Sequence, residues 1–118
     1  MTDMTPDSTL TVLITRDGMG RAETALSHKL IQTYLSLLDL EDRLPGTICF
    51  YTEGVHLVVE GSPVLEELQA LRDKGVRLIV CGSCVNFYDV AHEVRVGEVG
   101  SMQDIIAAQW QAEKVITI

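Results

Sequence analysis

Apolar side chains along the chain switch between two spacings, and the switches mark the elements. Leu10 to Thr15 is a short, β-branched apolar run stopped by Asp17-Gly18-Met19-Gly20, which predicts a buried strand and a glycine turn. From Arg21 the spacing changes: Ala22, Leu26, Leu30, Tyr34 and Leu37 or Leu38 recur every three or four residues. This predicts an amphipathic helix to about Leu40 with those residues inward. Pro45-Gly46 breaks the chain, and Thr47 to Tyr51 predicts a second strand. Val55, Leu57 and Val59 alternate between Gly54 and Gly61, which fits either a short strand or a turn of helix.

Ser62-Pro63 opens the next helix, with Ser as N-cap and Pro at the first helical position. Leu65, Leu68 and Leu71 form its buried side. Gly75 stops it, and Val76 falls where a Schellman ending would bring it to Leu71. Val76 to Cys81 is a third strand, and after Gly82-Ser83 a helix is expected over roughly Cys84 to His92. Val94 to Val99 alternates weakly. Ser101-Met102-Gln103-Asp104 is a capping-box variant, opening a helix with Met102, Ile105, Ile106 and Trp110 inside. Lys114 to Ile118 closes the chain as a strand. Residues 1–9, rich in Thr, Asp, Pro and Ser, read as a frayed tail, leaving one domain over residues 10–118.

Strands alternating with helices imply an α/β fold: three layers, a mostly parallel sheet of about five strands, and helices on both faces. Ligands of such folds bind outside the carboxyl ends of the strands. Here those ends are Arg16-Asp17-Gly18, Thr52-Glu53-Gly54 and Cys81-Gly82-Ser83-Cys84. The chain's one close pair of cysteines falls at one of them, which makes Cys81 and Cys84 the candidate catalytic residues. Asp17, Gly18, Glu53, Gly54, Gly82 and Ser83 are the candidate binding residues.

Composition narrows the chemistry. A chain of 118 residues, 47% hydrophobic, forms one domain and needs no disulfide staples. The net charge of −8, from 17 acidic and 9 basic side chains, argues against a nucleic-acid partner. Neither a membrane span nor the charged and apolar regions of a signal peptide are found, so a cytoplasmic location with reduced cysteines is expected.

Cys81 ends a strand and precedes a helix, where turn amides and the helix dipole favour a thiolate. It is equally readable as a small buried hydrophobe. The pair Cys81-Gly82-Ser83-Cys84 also fits a redox dithiol, although it lies late in the chain and no proline follows Pro63. Zinc would need four ligands, and the pair supplies two. Cys49, between Ile48 and Phe50, reads as core, and Trp110 as packing. His28 and His92 read as exposed helix residues. His56, near a strand end, is either a site base or an ordinary surface residue. Gly18-Met19-Gly20 lacks the third glycine of a dinucleotide loop and the Gly-Lys-Ser/Thr of a P-loop, which leaves only an anion site at that helix start to consider.

Ile48-Cys49-Phe50-Tyr51-Thr52-Glu53-Gly54-Val55, Val59-Glu60-Gly61-Ser62, the run from Gly75 to Cys84, Val96-Gly97-Glu98-Val99-Gly100-Ser101-Met102 and Ala112 to Ile118 together resemble the DsrE/DsrF-like family. The branch they resemble most is the C-terminal domain of YedF-type proteins, which are sulfurtransferase-like and linked to selenium metabolism. The resemblance implies a DsrE-like fold and a persulfide held on Cys81 in a sulfur relay. Cys84 matches the second cysteine of the YedF-type motif, with Ser83 in place of a usual Thr. The N-terminal TusA-like sulfur-carrier domain of YedF-type proteins has no counterpart in the sequence. A sulfur donor or acceptor protein, a TusA-like carrier among the candidates, is therefore the implied partner. The resemblance further implies a homo-oligomer, and no metal or organic cofactor.

Overall fold

A computed structural model describes residues 5–118. Five strands form one fully parallel sheet: β1 (Asp7–Ile14), β2 (Pro45–Phe50), β3 (Arg77–Cys81), β4 (Glu98–Gly100) and β5 (Lys114–Thr117), in the spatial order β4-β3-β2-β1-β5. The helices are α1 (Thr24–Leu40), α2 (Leu65–Asp73), α3 (Gly82–Phe87) and α4 (Met102–Gln111). Sequential strands step outward from β1 to β4, and the chain then returns through α4 to place β5 on the far side of β1. Right-handed crossovers put α1 and α2 on one face of the sheet and α4 on the other. The Thr11 hydroxyl donates to the Ala108 carbonyl of α4 at 3.1 Å, which fixes the odd-numbered positions of β1 toward that helix.

The core is thickest on the α1/α2 side. Val12, Ile14, Ile48, Phe50, Leu78 and Val80 point there and are 2% exposed or less, against Ile31, Leu35, Leu68 and Leu71 from the helices. Parallel strands covered on both faces read as continuous apolar runs, which is why β1, β2 and β3 stood out in the sequence. The ending of α2 follows the expected pattern. Gly75 adopts φ +99°, its N–H donates to the Arg72 carbonyl at 2.9 Å, and the Val76 N–H donates to the Leu71 carbonyl at 3.1 Å. At the start of α4 the capping box closes both ways: the Asp104 N–H donates to Ser101 Oγ at 3.3 Å and the Ser101 N–H to Asp104 Oδ2 at 2.8 Å.

Five expectations need correction. The helix α2 begins at Leu65 with Val64 at its N-cap and not at Ser62-Pro63, because Ser62 Oγ accepts the Val64 N–H at 3.1 Å and holds residues 62–64 in a turn before the helix. The strand β1 begins at Asp7, inside the segment read as tail, because the Asp7 N–H donates to the Leu44 carbonyl at 2.7 Å and Asp7 Oδ1 accepts from the Thr9 N–H and hydroxyl. Residues 1–4 of that tail lie outside the described residues. In α1 the buried positions are Ser27, Ile31 and Leu35, whereas Ala22 precedes the helix and Leu26, Leu30 and Leu37 are exposed. In α4 the buried positions are Ile105 and Ala108; Met102, Ile106 and Trp110 face outward, Trp110 at 85% exposure. Both helices carry apolar residues on more than one side, so periodicity found the helix but chose the wrong stripe. The helix after β3 spans Gly82–Phe87, earlier and shorter than expected, and ends where Asp89 turns at φ +57°. The ambiguous stretch after β2 is a 3-10 turn over Thr52–Val58.

Candidate functional site

Three segments meet at the carboxyl end of the sheet: the loop after β1, the Thr52–Val58 turn after β2, and α3 after β3. Thr52 ties them. Its hydroxyl donates to the Thr15 carbonyl at 2.6 Å, and its N–H donates to Cys84 Sγ at 3.1 Å. To do both, Thr52 holds φ +50°, a left-handed conformation that a β-branched residue rarely adopts. Backbone strain of this sort concentrates at functional sites. Nothing in the sequence marks Thr52 for it.

The two cysteines differ in setting. Cys81 closes β3 and is 3% exposed; Cys84 lies within α3, half-buried. Burial pushes the Cys84 thiol pKa up, and a hydrogen bond to Cys81 pushes it the same way, with the Thr52 N–H opposing. Cys84 thus holds its proton more tightly than an ordinary thiol. The α3 helix is six residues long, so its dipole is that of few peptide units and the pair's chemistry rests mainly on these direct contacts. Cys49, the fifth of the six residues of β2, is fully buried, and burial pushes its thiol up to about 11, with the Arg77 guanidinium pulling slightly the other way.

The candidate binding residues divide. Gly18 and Gly54 are glycines for packing: a Cβ on Gly18 would lie 2.6 Å from Ser27 Oγ, and one on Gly54 would collide with the Ile14 carbonyl oxygen. Gly82 lies against the edge strand, where a Cβ would meet the Gly100 carbonyl oxygen at 3.2 Å. Ser83 is exposed. Asp17 and Glu53 line one cavity of about 220 Å³ together with Arg16 and Arg21. His56 packs its ring against Tyr88 in a tilted pair, 4.5 Å between centroids and 55° between planes, which holds the Thr52–Val58 turn on the residue following α3. It also lines a second cavity of about 210 Å³ with His28 and Asp17. Among the described residues, no cluster of three or more His, Cys, Asp or Glu is arranged to hold a metal ion. Among the described residues, no helix is long and apolar enough to cross a membrane.

The same fold recurs in solved structures. The ychN protein from E. coli superposes with a TM-score of 0.70 at 15% identity, over 93% of this chain and 98% of that one. A protein of unknown function from Methanobacterium thermoautotrophicum, MTH1491, gives 0.69 at 15% identity over 92% and 97%. BT1422 from Bacteroides thetaiotaomicron, also of unknown function, gives 0.64 at 14% identity over 93% and 95%. No curated protein sequence matches the chain. The family model for the DsrE/DsrF-like family matches residues 10–118, the whole sheet from Leu10 of β1 onward, and the chain belongs to that family.

Proposed function

We propose that the protein is a cytoplasmic carrier of sulfane sulfur or its selenium analogue, working with a separate donor or acceptor protein such as a TusA-like carrier, with Cys81 as the acceptor. The Cys81 thiolate attacks the outer sulfur of a donor persulfide R–S–SH. A Cys81–S bond forms, the donor S–S bond breaks, and R–S⁻ leaves, so Cys81 holds –SSH with no net oxidation. Transfer to an acceptor thiolate reverses the step. The observation that carries this reading is the place of Cys81, which closes β3 at the carboxyl end of the sheet with Cys84 three residues on in α3. Cys84, its thiol pushed up chiefly by burial, is a poor nucleophile toward a persulfide at that distance along the chain. Because Cys81 is 3% exposed, side chains around the strand end have to move for the donor.

The same pair fits a second reading, a thiol–disulfide module in which Cys81 and Cys84, three residues apart at the end of β3 and in α3, cycle between dithiol and disulfide. Intact-mass measurement after incubation with a persulfide donor separates the two. A carrier gains one sulfur atom in wild type and in Cys84→Ser, and none in Cys81→Ser. Loss of loading in Cys84→Ser, with an internal disulfide accumulating in wild type, decides for the redox module.

Self-association belongs to the proposal as well. Val99, Met102, Ile106 and Trp110 leave apolar surface on β4 and α4, and Leu26, Leu30 and Leu37 leave another stripe on α1. Two such stripes on opposite faces are more than the scattered apolar residues of a monomer surface.

A further inference from the structure

Most of the chain's cations are spent on carboxylates: Arg43, Arg72, Lys74, Arg77 and Arg95 each form an ion pair. Among the described residues Arg16 and Arg21 form none and make no side-chain hydrogen bond, although a chain of net charge −8 offers acids in excess. Both line the cavity of about 220 Å³ at the carboxyl end of the sheet. Asp17 and Glu53 line it too, and they likewise enter no ion pair among the described residues. Two guanidiniums and two carboxylates thus share one small cavity without neutralising one another. A ligand bearing both charges close together matches such a lining, its carboxylate against the arginines and its ammonium against the acids. The cavity lies below the roughly 300–1,000 Å³ of drug-sized sites, which limits the ligand to a small metabolite.

Its position ties it to the sulfur pair. Arg16 follows Thr15, whose carbonyl accepts the Thr52 hydroxyl, and Glu53 follows Thr52, whose N–H donates to Cys84 Sγ. Neither cysteine lines the cavity; it begins at the residues that follow Thr15 and Thr52 in the chain, on the two segments that Thr52 ties to Cys84. We propose that it binds a small amino-acid thiol, a compound carrying carboxylate and ammonium on one carbon, and that the persulfide of this thiol is a sulfur donor to Cys81. The binding half stands on the cavity alone; the donor half rests on the carrier reading. In the transfer the bound R–S–SH gives its outer sulfur to the Cys81 thiolate and leaves as R–S⁻, paired in the cavity as an ordinary amino-acid thiolate.

S-methylcysteine, which has the zwitterion but no transferable sulfur, is the probe. Titrated into the full chain, it should shift the backbone amide resonances of residues 16–24 and 52–54. Its methyl ester, lacking the carboxylate, should bind at least about tenfold more weakly, as should the acid to Arg16→Gln and Arg21→Gln variants. No shifts up to about 10 mM probe, or equal shifts by acid and ester, overturn the proposal, and both arms use the wild-type chain. Cysteine persulfide loading, read by intact mass, keeps the two readings apart. Loading without probe binding removes the cavity and leaves the carrier. Probe binding without any loading removes the donor role and the carrier reading and leaves the binding site.

Discussion

Cys49 and Cys81 sit on neighbouring strands and by strand alternation face the same side of the sheet, toward α4, yet their surroundings are opposed. Cys49 lies one residue inside the end of β2, paired across to Ile79, fully buried, with its thiol pushed up to about 11. Cys81 lies at the end of β3, paired to Gly100 of the three-residue strand β4, with a second cysteine three residues on. The same residue type thus meets two environments, and the difference is whether the strand continues past it. Phe50 carries β2 one residue beyond Cys49, and ladder and helix enclose the sulfur. At the carboxyl end the chain turns, and side chains of neighbouring segments can reach it.

The sharpest way to break this comparison is to exchange the roles. Cys81→Ser should abolish persulfide loading while Cys49→Ser leaves it intact, both by intact mass; loading that survives Cys81→Ser and fails in Cys49→Ser inverts the site.

Next in size is a pH effect on stability. A thiol ionising at about 11 in the fold and near the ordinary 9 when unfolded holds its proton more tightly in the native state. Its contribution is fully present below pH 9 and is lost as pH rises to about 11, up to about 3 kcal/mol over that window. Urea titrations of wild type against Cys49→Ala should therefore converge across this range, and a constant gap between them would contradict the burial argument. Iodoacetamide at neutral pH should correspondingly leave Cys49 unlabelled in the native protein.

At the strand ends, Thr52→Val removes the hydroxyl bond to Thr15 while keeping the N–H that Cys84 Sγ accepts. The expected cost is about 1 kcal/mol in chemical denaturation, with loading retained. Loss of loading would give the hydroxyl a role beyond holding the turn. Smallest is Arg77→Gln. Removing the charge that draws the Cys49 pKa down should move its ionisation, read by thiolate absorbance, slightly higher still; a downward shift would mean that Arg77 acts by excluding water.

Much of this was legible in the sequence because buried parallel strands write themselves as apolar runs. Leu10 to Thr15, Thr47 to Tyr51 and Val76 to Cys81 could be placed to within a few residues, and with them the three strand ends that carry the candidate residues. The faces of α1 and α4 were not legible. Leu26 and Leu30 are as apolar as Ile31 and Leu35, and only the sheet beneath decides which pair is covered. Ser27, the least apolar of the buried set, is inside because Gly18 leaves room for it. At the site, the cysteine spacing named the residues but could not orient them. The hydrogen bond from the Thr52 N–H to Cys84 Sγ is made with α3 starting at Gly82 and with a left-handed backbone at Thr52, a residue type that gives no warning of it.

The lengths of the strands carry a consequence for how the protein behaves in a crowded solution. The inner strands β1, β2 and β3 run eight, six and five residues, whereas the edges β4 and β5 run three and four. An edge strand is a template on which another chain can build, and each unpaired N–H and carbonyl lengthens that template. Here both edges are too short to seed much, and β5 opens with a charged Lys114 that resists burial under a stacked neighbour. The taper lets the sheet keep a strongly apolar interior without offering its borders to amyloid-like growth.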